Sequence, residues 1–242
     1  MLDRAEDFLG RVTFVTGPEK HCGKTTFLNR ALALVRAAGE RPAFLSVGYD
    51  GEARDSLSAA RKPAVPVAPG DVVISAERFL RDGRILPEIL EILPGSSAFG
   101  RICAARARRP GRIVLVGPEG NEGVARVLAF LRDEGAARTV LVDGAINRIT
   151  QAASWPGARF VFVLRADAAG LDKAVRQARR LSSLASLPSA SPGFGSREGE
   201  VLLAGPLTAA TAGALPETAR AVAVEDFTKV FLDDGELRSF RT

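Results

Sequence analysis

The chain has 242 residues, 46% of them hydrophobic, enough apolar content for a large buried core and far from the composition of a disordered or collagen-like chain. Lys and Arg number 33 against 28 Asp and Glu, a net charge of +5, but the lone Trp and lone Tyr supply no aromatic platform beside the basic residues, which argues against nucleic-acid binding. Cys22 and Cys103 form no CxxC pair and His21 is the only histidine, which argues against a structural metal site.

Arg11-Val-Thr-Phe-Val-Thr16 is an apolar, β-rich run that leads into Gly17-Pro-Glu-Lys-His-Cys-Gly-Lys-Thr-Thr26. From Thr25 to Ala38 the apolar residues follow a helical period that Gly39 stops. Strand, glycine-bearing loop and helix together make a phosphate cradle, because the loop N–H groups and the free N–H groups of the first helical turn converge on an anion. Gly17, Lys20, Cys22, Gly23, Lys24, Thr25 and Thr26 are then the nucleotide-binding residues, with Lys24 reaching the outer phosphates and Thr25 offering its hydroxyl to Mg²⁺. Five residues separate Gly17 from Gly23 where four are usual, and Pro18 occupies the regular slot. An ordinary turn between strand and helix is the plain alternative. Against it, two of only five lysines in the chain (20, 24, 62, 173, 229) lie in this loop. Lys20 either adds charge against a transferring phosphate, reaches across a dimer, or is a solvated loop lysine. Cys22 reads as a small loop-filling residue ahead of a redox sensor.

Arg41-Pro-Ala-Phe-Leu-Ser-Val47 is a second strand, and strand, helix, strand implies parallel pairing. Val72 to Ser75 is a short strand, Ala76 to Arg81 a helix, and Ile85 to Leu93 an apolar segment of open type. Phe99 to Ala107 and Arg112 to Val116 flank Arg-Arg-Pro-Gly with alternating polarity, which predicts a β-hairpin inserted over residues 99–117, with a basic helix stub as the alternative. Arg106, Arg108, Arg109 and Arg112 then fall at a solvated hairpin tip. Gly123 to Glu134 is a helix ended by Gly135. Arg138 to Asp143 and Phe160 to Leu164 are buried strands. Gly170 to Leu184 is a helix with Lys173, Arg176, Arg179 and Arg180 on or near one side, and residues 186–199 have the composition of a flexible loop. Glu200 to Ala204, Leu207 to Leu215, Ala221 to Glu225 and Lys229 to Asp233 return to short strands around a small helix. The expected architecture is a single α/β domain over 1–242, a mostly parallel P-loop NTPase-like sheet flanked by helices with the hairpin inserted.

A phosphate loop needs a partner acid to hold Mg²⁺ or its waters. Asp143 qualifies because its apolar run places it at the carboxyl end of a parallel strand, where open α/β sheets build their sites. Asp50, in Val47-Gly-Tyr-Asp-Gly-Glu-Ala-Arg-Asp55, follows the second strand at the same edge, suited to Mg²⁺ contact or to orienting the attacking water. Both residue types also occur as plain turn residues. No Asn-Lys-x-Asp run is present to read guanine, so ATP is expected over GTP. No run is long and apolar enough to span a bilayer, and the first residues lack a basic start and an apolar core, so a cytoplasmic location without membrane contact is expected.

The motifs Gly17-x5-Gly-Lys-Thr-Thr-x-Leu-Asn, Val47-Gly-Tyr-Asp-Gly-Glu, Lys62-Pro63, Gly70-Asp-Val-Val-Ile-Ser-Ala76, Val116-Gly-Pro118, Asn121, Val140-Leu-Val-Asp-Gly-Ala-Ile-Asn-Arg148, Gly205-Pro-Leu-Thr208 and Val224 to Phe231 occur in order along most of residues 11–232. Together they resemble the P-loop subunit of the reactivase for adenosylcobalamin-dependent lysine 5,6-aminomutase. The five-residue loop spacing is also similar to that of dethiobiotin synthetase and its relatives. Two departures stand out: Lys20-His-Cys22 replaces Lys-Asn and a small residue, and Leu164-Arg-Ala-Asp-Ala168 lacks the Thr-Gly-Ala of the later strand. The resemblance implies an ATP-driven chaperone that ejects damaged cobalamin, its partner being the aminomutase or a companion reactivase subunit. It assigns phosphate to Gly23 and Lys24, Mg²⁺ to Thr25 and Asp143, and water positioning to Asp50, making Lys24 and Asp50 the catalytic pair. It also makes a homodimer an open expectation, since loops of this branch are often completed across dimers. With no Asp-x-His-x-x-Gly run, the chain itself is not expected to hold cobalamin through an axial histidine. A metabolic ATP-dependent ligase or small-molecule kinase is the alternative, and a nonhydrolysing nucleotide-dependent adaptor the third reading.

Overall fold

The computed structural model describes residues 2–18, 22–48, 64–97, 99–118, 120–144, 157–168, 170–225 and 227–241. The chain forms two compact units, Met1–Leu164 and Arg165–Thr242.

The first unit is built on a seven-stranded sheet. In chain order its strands are β1 (Val12–Thr16), β2 (Ala43–Ser46), β4 (Val72–Ala76), β5 (Pro87–Ser97), β6 (Gly100–Ala107), β8 (Val140–Asp143) and β9 (Arg159–Phe162), and their order across the sheet is β5-β6-β4-β2-β8-β1-β9. From β4 to β9 every pairing is parallel, while β6 runs antiparallel to both β4 and β5. A separate antiparallel pair joins β3 (Val65–Val67) to β7 (Gly111–Ile113). The fold class is therefore α/β with a mostly parallel sheet, an architecture compatible with nucleotide binding.

Both faces of the sheet are covered, which is why the central strands read as near-continuous apolar runs. Helix α3 (Gly120–Asp133) lays Val124, Val127, Leu128 and Leu131 against one face, meeting Phe14, Leu45, Ile74 and Val142. Helices α1 (Lys24–Ala37) and α2 (Glu77–Asp82) cover the other, where Leu28, Ala31, Leu32, Val35 and Leu80 meet Phe44, Val73 and Leu141. Burying each Leu or Val contributes about 1.5–3 kcal/mol, so the four apolar residues of α1 at helical spacing hold it to the sheet. The foreseen glycine stops are real: Gly39 and Gly135 take left-handed φ of 84° and 60°. In each case the glycine N–H and the next N–H (Glu40, Ala136) donate back to carbonyls of the last turn.

The inserted hairpin over residues 99–117 is corrected. The hairpin partner of β6 is β5, with Ser97 paired to Gly100, and β4 flanks β6 on its other side, whereas β7 leaves the sheet and pairs with β3. After β6 the Arg108 and Arg109 N–H groups both donate to Ile85 O, and a Cβ on Gly111 would lie 2.3 Å from Gly83 O. The Arg-Arg-Pro-Gly stretch is thus pinned to the 83–85 turn and links two sheets. Its arginines sit on that link and not at a hairpin tip.

In the second unit, β10 (Glu200–Leu203) and β11 (Ala221–Val224) form a parallel pair, accompanied by α4 (Leu171–Ala185), α5 (Ala209–Gly213) and α6 (Asp234–Arg241). Its small core joins Leu184, Leu207, Val230, Leu232 and Leu237. Arg180 on α4 bonds the carbonyls of Val230 and Leu232 and the carboxylate of Asp234, so this arginine of the basic helix is a structural clamp. The terminal helix α6 was not foreseen from the sequence. Among the described residues no helix is long and apolar enough to cross a membrane.

Candidate functional site

All five residues of β1 are buried, and the strand ends at the carboxyl edge of the sheet, where the chain turns into the loop that begins at Gly17. A Cβ at Gly17 would meet Cys22 Sγ and Val163 O, each at 2.6 Å, so the two ends of the loop approach too closely for any side chain there. Gly23 stands as N-cap of α1 with φ 101°, a left-handed value that favours glycine, and it brings no side chain of its own to cap the helix. The first-turn N–H groups face the loop side of the helix, and the helix dipole favours negative charge at that point. Lys24 opens the helix with its Nζ 3.6 Å from Cys22 Sγ. Cys22 is buried, in keeping with a loop-filling role.

Asp143 ends β8, which lies next to β1 with Asp143 level with Val15. It is fixed from both sides, since Val47 N–H donates to Asp143 O at 2.8 Å and Gly144 N–H to Val15 O at 3.1 Å. The alternation of β8 sends Val140 and Val142 to the α3 face and Leu141 to the α1 face, so Asp143 points to the side of α1. There its Oδ2 accepts a long hydrogen bond of 3.5 Å from Thr25 Oγ1. Residues 118 positions apart are thus brought together. A hydroxyl and a carboxylate are the hard oxygen donors Mg²⁺ takes, and Mg²⁺ commonly uses one or two protein groups with phosphates and waters in place of a full cage. Thr25 and Asp143 fit that requirement. Among the described residues no three His, Cys, Asp or Glu side chains cluster as a metal cage. Thr26 lies exposed in the first turn of α1. Lys20 and Asp50 lie outside the described residues, as do His21 and Lys62.

Sequence reasoning gave no role to the residues that build the neighbouring part of this edge. The segment from Val114 to Pro118 passes from β7 to α3, and since these lie on opposite faces it must cross the strand ends. Ser75 Oγ donates to Val114 O and accepts from Val116 N–H, at 2.8 and 3.1 Å. Ser46 Oγ accepts from Gly117 N–H at 3.1 Å and donates to Gly48 O at 3.2 Å, while Gly48 N–H donates to Pro118 O at 2.8 Å. The crossing covers the ends of β4 and β2 and leaves the β8–β1 end to the loop that begins at Gly17. A Cβ on Gly117 would fall 1.5 Å from Ser46 O, which makes glycine obligatory. The available signal was Gly117-Pro118 directly before a helix, a pattern that marks a turn but not its partner.

No protein-family model, curated protein or solved structure matches the chain.

Proposed function

We propose that this chain is a Mg²⁺-dependent P-loop ATPase that reactivates an adenosylcobalamin-dependent aminomutase. The observation that carries the nucleotide reading is the N-terminus of α1, opened by the left-handed Gly23 and by Lys24, with Thr25 facing Asp143 across 3.5 Å. The first-turn N–H groups and the Lys24 ammonium would hold phosphate oxygens, and Thr25 and Asp143 would hold Mg²⁺ or its waters. Bound Mg²⁺ supplies charge neutralisation to the phosphates. Asp50 is proposed to orient the attacking water. Adenine over guanine is supported by the lack of an Asn-Lys-x-Asp run. The chaperone role, a cytoplasmic setting, an aminomutase or companion-subunit partner and a homodimer are supported by the motif order along residues 11–232.

The test is Mg²⁺-dependent ATP hydrolysis by the purified protein, alone and with a cobalamin-inactivated lysine 5,6-aminomutase, using Lys24→Ala as blank. Partner-stimulated turnover with recovered mutase activity is the expected result. Rapid turnover without partner points to the ligase or small-molecule kinase alternative. Intact ATP binding and partner reactivation in Lys24→Ala overturn the assignment of the loop.

A further inference from the structure

We propose that the amino-terminal edge of the first unit's sheet, opposite the phosphate loop, is a docking surface for an acidic segment of a partner protein. Parallel pairing places the residues just before β2, β4, β8 and β1 along one edge, and arginine recurs there. Ala43 is level with Val140 and with Val72, and Val72 with Arg106. Arg41 and Arg138, each two residues ahead of its registered partner, are therefore neighbours across one strand spacing of about 4.8 Å. Arg11 joins them, its carbonyl accepting from Val140 N–H at 3.0 Å. On the other side Gly70 N–H donates to Ala107 O at 2.8 Å, so Arg108 and Arg109 continue the row past β4. Gly70 has no side chain there, and a Cβ would lie 2.9 Å from Arg41 Cδ, so the Arg41 stem lies across Gly70 toward β6.

The adjoining turn adds to the same surface. Arg84 and Leu86 are the two non-glycine residues with positive φ among the described residues, at 55° and 48°, flanking the fully buried Ile85. Both side chains are exposed, and Ile85 O holds Arg108 and Arg109 in place. Left-handed non-glycine residues are strained, and strain of this kind clusters at binding sites.

Arg41, Arg84, Arg109 and Arg138 are exposed and have no ion-pair partner among the described residues. Two nearby acids are paired elsewhere, Glu88 with Arg108 and Asp133 with Arg132, while Glu40, bonded to the Thr139 hydroxyl, leaves one negative charge among several arginines. Residues 165–242 contain ten basic and ten acidic residues, so the chain's whole excess of five positive charges resides in the first unit. Guanidinium forks match carboxylates bidentately, and exposed Leu86 offers an apolar contact beside them. No aromatic residue interrupts Arg106 to Arg112 or Arg81 to Leu86, which favours carboxylates over stacked bases.

The probe is a fluorescein-labelled twelve-residue polyglutamate peptide, read by anisotropy against the full chain at 50 and 200 mM NaCl. A twelve-nucleotide single-stranded DNA and vesicles containing phosphatidylserine serve as competing probes. Peptide binding that weakens about tenfold or more between the two salt concentrations is expected. Arg41→Ser/Arg109→Ser/Arg138→Ser should weaken it by about tenfold or more, and Arg176→Ser/Arg179→Ser on α4 by less than about twofold. Far-UV circular dichroism confirms that both variants fold. The proposal fails if the peptide does not bind, if the α4 variant loses as much as the edge variant, or if DNA or vesicles bind as tightly as the peptide.

Discussion

Removing the carboxylate of Asp71 should destabilise the first unit more than any surface substitution, and the structure gives the size of the effect. Asp71 is completely buried and precedes β4, while Arg36 lies in the last turn of α1 with its side chain 17% exposed. Asp71 Oδ2 accepts from Arg36 Nη2 at 2.7 Å and from Ala68 N–H at 2.7 Å, and Oδ1 accepts from Arg36 Nε at 3.4 Å. Arg36 also donates to Pro66 O at 2.9 Å and places its guanidinium 5.8 Å from the centre of the Phe44 ring. In Asp71→Ala the Pro66 bond survives, but a largely buried guanidinium loses its counter-charge and Ala68 N–H loses its acceptor. Breaking a buried pair by deleting one partner costs about 3–5 kcal/mol. For a unit of this size that corresponds to a fall in melting temperature of about 6–20 °C.

The assay is urea unfolding followed by far-UV circular dichroism on wild type, Asp71→Ala, Arg36→Ala and the double variant. Each single change should lower stability by about 3 kcal/mol or more, and the double variant by clearly less than their sum, because the second deletion removes a charge already stranded. Nucleotide binding below the melting temperature should change little, since Lys24 and Thr25 lie at the other end of α1. A loss under about 1 kcal/mol for Asp71→Ala, or strict additivity, would refute the claim that this pair anchors α1 to the sheet.

Three further outcomes are expected. Thr25→Ala and Asp143→Asn should each raise the Mg²⁺ concentration needed for nucleotide binding by about tenfold or more, with Thr25→Ser close to wild type; calorimetric titration reads this, and unchanged Mg²⁺ dependence in both would remove them from the metal site. Gly117→Ala should cost more than about 3 kcal/mol or prevent folding, because its Cβ would fall 1.5 Å from Ser46 O, and a near-wild-type melt would contradict that packing. Burial, aided by Glu77 and opposed by Arg101, pushes the Cys103 thiol above its ordinary value of 9.0. As pH rises past that value the unfolded chain gives up this proton first. The stability tied to the neutral thiol is therefore full below about pH 9 and lost above it. Wild type should lose more stability than Cys103→Ala between about pH 8 and pH 10 in urea melts, and equal losses would show that the thiol does not contribute.

How much was legible follows from the range of each interaction. Strand β1, the glycine loop, helix α1 and its stop at Gly39 are neighbours in the chain, and apolar period, glycine conformation and helix ending are local properties that the amino-acid order determines by itself. The placement of Asp143 at a strand end was legible for the same reason, because Val140 to Val142 is a buried run with nowhere else to go. Which strands stand side by side depends on contacts between distant residues. The sequence could not show that β8 inserts between β1 and β2, which is what carries Asp143 to Thr25. The pairing of β6 with β5, the departure of β7 to join β3, and the crossing held by Ser46, Ser75 and Gly117 depend likewise on backbone groups far apart in sequence. Alternating polarity identifies a strand but says nothing of its neighbour, because hydrogen bonding in a sheet is made by the main chain, which is common to every residue except proline. The local chain thus determined the strand, glycine loop and helix of the candidate site, and only the tertiary structure decided which carboxylate faces them and which arginines line the opposite edge.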